Sequence, residues 1–237
     1  MQYSRFNLPG LLLLGMLTLG GCATNGTPSD PLEPLNRGIY KFNDVVDKAV
    51  IKPVAQGYKK VTPDVVRTGV GNFFSNLDDV LVVANDLLQF KLPQAASDFS
   101  RLVVNTSIGV LGLVDVATPW ELPKHDEDFG QTLGYWGIGN GPYLVLPFLG
   151  PSTIRDTAGR IGDGQIDPVY NYDDVPTRNT AIGVNTIDTR ARLLDIESVI
   201  EDAALDRYSF IRDAYLQKRR SLVYDGNPPR EKLEDDE

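Results

Sequence analysis

Cys22 is the only cysteine in a chain of 237 residues, so neither an internal disulfide nor a thiolate metal cluster can hold this fold together. Stability has to come from the patterning of apolar and polar side chains. The surroundings of the cysteine give it another role. Leu19-Gly20-Gly21-Cys22 closes a leucine-rich run that starts at Leu8 and follows one positive charge, Arg5. A basic start, an apolar middle and small residues before the cut make a secretion signal, and a cysteine directly after the cut makes it a lipoprotein signal. Residues 1–21 are expected to be removed, leaving Cys22 lipidated on sulfur and acylated on its new amine. Each buried methylene then contributes about 0.8 kcal/mol to membrane attachment. The apolar run itself is shorter than the ~20 residues that a span requires.

The formal charge is −9, and −10 once Arg5 leaves with the signal. A chain this acidic offers no surface to nucleic acid and no polybasic patch to anionic lipid. Residues 22–33, containing Thr, Asn, Gly, Pro and Ser, read as an acylated N-terminus and tether. Residues 34–224 are long enough for one domain with a substantial core. Residues 225–237 combine prolines with acids and almost nothing apolar, the composition of a disordered tail.

The periodicity is mainly helical. Leu35, Ile39, Phe42, Val46, Ala49 and Val50 recur at three- and four-residue steps from Pro34 to Lys60, with Pro53 expected to kink or break the helix. Thr62-Pro63-Asp64 reads as an N-cap, a first-turn proline and a first-turn acid. The helix it opens carries Val66, Val70, Phe73, Phe74 and Leu77 on one face, and a third is expected from Asp78 to Phe90. A fourth starts at Leu92-Pro93, with Ala96, Phe99, Leu102, Val103 and Thr106 on one side and Gln94, Asp98 and Arg101 on the other. Residues 108–164 are crowded with glycine and proline, so irregular backbone is expected there. Helix returns after Asn185, with a longer stretch from Asp195 to Val223 whose buried stripe would include Val199, Ala203, Phe210, Ala214 and Leu222.

No catalytic constellation emerges. His125 is the sole histidine and no serine sits in a G-x-S-x-G elbow, which argues against a hydrolase triad. His125-Asp126-Glu127-Asp128 lacks the spacing of a calcium loop. Gly137, Gly139 and Gly141 precede no phosphate-binding lysine and fit a tight turn or hairpin, followed by the apolar arm Tyr143 to Leu149. Asp78 with Asp79, and Asp173 with Asp174, point apart on a regular helix and read as caps and solvated groups.

Several long segments resemble the VacJ/MlaA lipoproteins. They include Asp30-Pro-Leu-Glu-Pro-Leu-Asn-Arg-Gly-Ile-Tyr-Lys-Phe-Asn43, Val66-Arg-Thr-Gly-Val-Gly-Asn-Phe-Phe74 and Asn105-Thr-Ser-Ile-Gly-Val-Leu-Gly-Leu-Val-Asp-Val116. Further matches are Glu127-Asp-Phe-Gly-Gln-Thr-Leu-Gly134, Gly139 to Asp156, and Asp213-Ala-Tyr-Leu-Gln-Lys-Arg-Arg220. The resemblance implies a mainly α fold: a single ring-like bundle of amphipathic helices with an irregular Gly/Pro-rich hairpin segment. It implies a protein lying in the inner leaflet of the outer membrane, on its periplasmic face, with trimeric porins as partners and a lipid channel through its centre. Misplaced phospholipid would pass to a soluble periplasmic carrier, which trades it with an inner-membrane ABC transporter. The same resemblance puts the lipid pathway or hairpin at Gly139, Gly141, Pro142, Tyr143, Phe42 and Asn43, with Cys22 lipidated and no cofactor, metal or catalytic residue. Ala23 is not the aspartate that retains lipoproteins at the inner membrane in enterobacteria. The competing expectations are a porin-associated scaffold that passes no lipid, and a lipid or cell-wall hydrolase using His125 and Ser152.

Overall fold

A computed structural model describes residues 30–203 and 206–229, and residues 198–203 through their backbone alone. The expected signal peptide, Cys22 and all but the first few residues of the expected tail lie outside the described residues. Helix α1 (Glu33–Val46) runs through a π-helical turn (Asp47–Ile51) into α2 (Lys52–Val61). Pro53, in the first turn of α2, has no N–H to donate. The wider turn, closed by the Lys52 N–H donating to the Asp47 carbonyl, accommodates it without ending the helix. Next come α3 (Asp64–Leu88) and α4 (Leu92–Ser107), a looped segment, and the short α5 (Phe129–Tyr135). An antiparallel hairpin follows, β1 (Tyr143–Leu146) with β2 (Gly150–Thr153), Tyr143 facing Thr153 and Leu146 facing Gly150. The order closes with α6 (Ile154–Asp163), α7 (Val175–Ala203) and α8 (Arg207–Val223).

Mainly helical structure is therefore as expected, while several boundaries differ. Pro63 rather than Thr62 stands at the N-cap of α3, its carbonyl accepting from Val66 and Arg67. Residues 64–88 form one helix, because Asp78 and Asp79 are not needed as caps: both bind Lys124. Residues 108–164 contain α5 and α6 between their loops, each opened by a side-chain cap, Asp128 to Gln131 N–H and Thr153 to Asp156 N–H. Helix α7 starts ten residues before Asn185, where the Asp174 carboxylate accepts from Thr177 N–H at 2.9 Å, and it continues unbroken past Asp195.

The larger departure is in polarity. Among the described residues, buried polar and charged side chains outnumber buried apolar ones, the reverse of the usual ordering. Helix α4 buries Asp98, Arg101 and Asn105 and exposes Phe99 and Val103; α3 buries Asn76, Asp79, Asn85 and Asp86 and exposes Val65 (84%) and Val66. In α8 the buried side chains are Tyr208, Arg212 and Arg219, whereas Phe210 is exposed. The stripes were correctly spaced, yet the polar one faces inward.

It can do so because most of its groups bond to one another, although single atoms such as Arg101 Nε and Asp79 Oδ2 find no hydrogen-bond partner among the described residues. Arg101 donates to Asp115, Thr118 and the Leu122 carbonyl at 2.8–2.9 Å, and Asn105 Oδ1 accepts from the Val116 and Ala117 amides. Gln89 and Lys91 bind Glu127, and His125 Nδ1 meets buried Asp98 at 2.8 Å. These contacts fasten the looped segment to α3 and α4. Across the bundle, Arg219 joins Asp128 and Asp156. A tyrosine cluster, Tyr143, Tyr208 and Tyr215, packs edge to face with centroids 6.1–6.2 Å apart.

Asp86 sits inside this network. Burial, followed by a hydrogen bond with Asp98 that only a protonated acid can donate, pushes its carboxyl up to about 7. A carboxyl raised on folding lends stability that is full below its ordinary value of 3.8 and is lost as pH rises through about 7. Asp86→Asn keeps a neutral donor toward Asp98. Its chemical-denaturation midpoint should fall less than that of the natural chain between pH 4 and pH 8, and parallel curves would contradict a protonated Asp86.

Candidate functional site

Two asparagines on α1, two helical turns apart, attach the hairpin to the helix. Asn36, fully buried, donates to the Tyr143 carbonyl and accepts from the Val145 amide, both at 2.9 Å. Its second amide hydrogen goes to Asp30 at 2.8 Å, so every donor of the group is used. Asn43 repeats the arrangement at the hairpin tip, donating to the Leu146 carbonyl at 2.9 Å and accepting from the Phe148 amide at 2.8 Å. The ring of Phe42 meets that of Phe148 edge to face at 5.3 Å. These side chains occupy the free edge of β1 as a third strand would.

The hairpin so held forms one wall of a cavity of about 360 Å³. Tyr40, Asn43 and Asp47 line it from α1 and the π turn, Tyr143 and Val145 from β1, Gly150 and Pro151 from β2, Leu193 and Ile196 from α7, and Ile211 from α8. The lining is mostly apolar, with one ionic group set into it. Arg190 is held by Asp47 through two 2.8 Å bonds and by Glu197 at 3.0 Å, and Lys52 reaches Glu197 at 3.2 Å. Hydrogen bonding, above all from Asp47, raises the Arg190 guanidinium above its ordinary value. Burial works against ionisation of Glu197, but bonds from Arg190 and Lys52 outweigh it and lower its pKa. Burial, then the charge of Asp30, pushes the Tyr143 hydroxyl up to about 12, so it stays protonated. The cavity can therefore hold apolar chains against Val145, Leu193 and Ile196 beside a fixed ionic cluster.

Of the residues singled out in the sequence, Asn43 and Tyr143 line the cavity and Phe42 buttresses the hairpin tip. Gly139, Gly141 and Pro142 form the approach to β1 instead. Gly141 has φ +65°, and a Cβ there would lie 3.2 Å from Ile154 Cβ; Gly139 has open space around it. Gly137, at φ +90°, caps α5, with the following Ile138 amide donating back to Leu133. His125 is tied to Asp98, and Ser152 is buried with its Oγ 2.9 Å from Thr157 Oγ1, so the two hydrolase candidates serve separate structural contacts. Among the described residues, no group of three His, Cys, Asp or Glu could hold a metal. Arg190, Asp47 and Glu197 were not anticipated. A charge at Arg190 sharing a helical stripe with Leu193 was the available signal, because arginine set on an apolar stripe needs a buried partner.

Residues 28–222 match the family described as "MlaA lipoprotein". The chain is 36% identical over 239 residues to the "Intermembrane phospholipid transport system lipoprotein MlaA" of Escherichia coli (strain K12), covering 95% of this chain and 94% of that protein. It is 32% identical over 236 residues to the protein of the same description from Haemophilus influenzae, covering 94% of each. A solved structure described as "Structural basis for maintenance of bacterial outer membrane lipid asymmetry" superposes with a TM-score of 0.73 at 34% identity, covering 84% of this chain and all of that one.

Asn43→Ala removes both bonds at the hairpin tip. The Phe148 amide should then exchange with solvent about tenfold faster, the loss expected for a hydrogen bond of roughly 1.4 kcal/mol. The Val145 amide, held by Asn36, should keep its rate. Unchanged exchange at Phe148 would mean that Asn43 does not hold the tip.

Proposed function

The chain belongs to the MlaA lipoprotein family, and on that premise we propose that it is an outer-membrane lipoprotein of a phospholipid-trafficking system that maintains lipid asymmetry. It passes phospholipid misplaced in the outer leaflet to a periplasmic carrier. The supporting observation is the cavity between α1, the hairpin, α7 and α8, which pairs an apolar lining with a set ionic cluster. A phospholipid needs both surfaces, since each methylene left in water costs roughly 0.8 kcal/mol and its headgroup cannot be stripped of polar partners.

The exterior suits a lipid surrounding. Phe90 (77% exposed), Val61 (78%), Val65 and Phe99 are all presented outward. Among the described residues no helix is long and apolar enough to cross a membrane. The protein is thus held by helix faces together with an acylated Cys22, residues 1–21 having been removed as signal and residues 22–33 serving as tether. The body spans residues 34–224, and residues 225–237 form an acidic tail. Porin trimers, the soluble carrier and, through the carrier, an inner-membrane ABC transporter are its partners. The pathway runs past Phe42, Asn43 and Tyr143, with Gly139, Gly141 and Pro142 setting the position of the hairpin. The work needs no bond made or broken; a passage of this kind equilibrates lipid, and net direction comes from a gradient or a coupled component.

The test is outer-leaflet phospholipid in intact cells that lack the gene. Restoring the natural chain should lower it, and Cys22→Ser should not. Gly141→Ala, strained by its positive φ and pressed on Ile154, should restore asymmetry poorly, while Gly139→Ala should restore it fully. Surface phospholipid that ignores the gene altogether would favour a scaffold that passes no lipid.

A further inference from the structure

A second recess, of about 210 Å³, adjoins the apolar cavity and shares Tyr40, Asp44 and Arg207 with it. Its walls carry the cations Arg37, Lys41, Lys48 and Arg207 against two acids, Asp44 and Asp206, in a chain whose overall charge is −9. We propose that this recess is a phosphodiester site, in which a lipid headgroup is held by Lys41 and Lys48 while its acyl chains enter the neighbouring apolar cavity. The assignment deepens the lipid-passing function and rests on it.

Arg37, Lys41 and Asp44 of α1 and Lys48 of the following π turn succeed one another at three- and four-residue steps, and all four line the recess. They are not equally committed. Arg37 is fixed by Glu33 at 2.7 Å and Asp206 at 2.6 Å, and its guanidinium lies 4.3 Å over the Tyr208 ring. It forms a rigid positive wall. Lys48, in the π turn, pairs with Asp44 at the end of α1, an exposed and easily exchanged contact. Lys41 makes no ion pair among the described residues and stands at the rim. Arg207 lies 4.0 Å from both Asp44 and Glu197 and adds a committed positive group to the wall. A phosphate oxygen offers Lys41 a charge-assisted bond and Lys48 an alternative to its exposed pair.

The neighbouring cavity divides the labour. Arg190, which lines the cavity but not the recess, is already bound by two carboxylates, so a phosphate gains more by stopping in the recess. Volume agrees with this, the smaller space being charged and the larger apolar. The shared residues Tyr40, Asp44 and Arg207 mark where the glycerol backbone would cross.

The full chain in detergent can be titrated with short-chain phosphatidylglycerol, and separately with glycerol phosphate, while phosphorus NMR reports binding. Lys41→Gln combined with Lys48→Gln should weaken phosphatidylglycerol binding about tenfold and flatten its salt dependence, with circular dichroism unchanged because both side chains are exposed. Lys41→Glu alone should weaken it in the same direction. Equal affinity in the natural chain and the double variant overturns the recess while leaving a lipid cavity intact. Glycerol phosphate bound as tightly as phosphatidylglycerol would make this a site for free phosphate esters, and overturns the lipid assignment. If the natural chain binds neither probe, the lipid-passing function falls with it.

Discussion

Two amide side chains carry the architecture of the cavity. A two-stranded hairpin is marginal by itself in water, and β1 here has a free edge that no third strand covers. Asn36 and Asn43 close that edge from α1, each satisfying one carbonyl and one amide of the strand or its tip. Leucine at either position would leave both backbone groups without partners, and for the fully buried set at Asn36 that costs about 1–3 kcal/mol per group. Asn36 also binds Asp30, which contacts Tyr208 and Arg212 of α8. The segment leading into α1, the hairpin and α8 therefore meet around one amide. Movement of any one of them is felt by the others, which makes the cavity wall a coupled unit.

The polar interior is the second constraint. Buried ions are expensive unless paired and hydrogen-bonded, and the bundle answers this with interlocking sets such as Arg101 with Asp115, Asp79 with Lys124, and Arg219 with Asp128 and Asp156. Such networks define register among helices whose apolar faces point outward and cannot do so. Among the described residues buried apolar side chains cluster around Tyr143, Val145 and Tyr208, with others such as Leu81 and Val82 buried on α3. The inverted arrangement would be unstable as a free body in water. It becomes reasonable for a protein whose outer faces meet acyl chains, and that surrounding is part of the function proposed for this chain.

Much of this was legible in the sequence, and the errors have a common cause. Helical spacing located the stripes on α1, α3 and α4, whereas the hairpin turns at residues 147–149 and not at the glycines around residue 140, which cap α5 and lead into β1. Which stripe faced inward was not legible, because periodicity measures separation of polar from apolar residues and not the polarity of the surroundings. Asn43, Phe42 and Tyr143 were reached through long segments of family resemblance. Arg190, Asp47 and Glu197 come from α7 and the π turn, far apart in sequence, and no local pattern pairs them. The π turn was invisible for a simpler reason: Pro53 announces a disturbance of the helix without saying whether the backbone breaks or widens.

The central claim is that the space between α1, the hairpin, α7 and α8 is occupied by phospholipid during function. Leu193 lines that space from α7, whereas Gly183 on the same helix is exposed with nothing within 4 Å of an added Cβ. A photoreactive amino acid placed at each position in living cells, followed by mass analysis of the purified chain, compares them directly. A phospholipid adduct at position 193 that is absent or far weaker at position 183 is the predicted result. Adducts of equal strength at both, or none at position 193, would contradict a lipid-filled cavity.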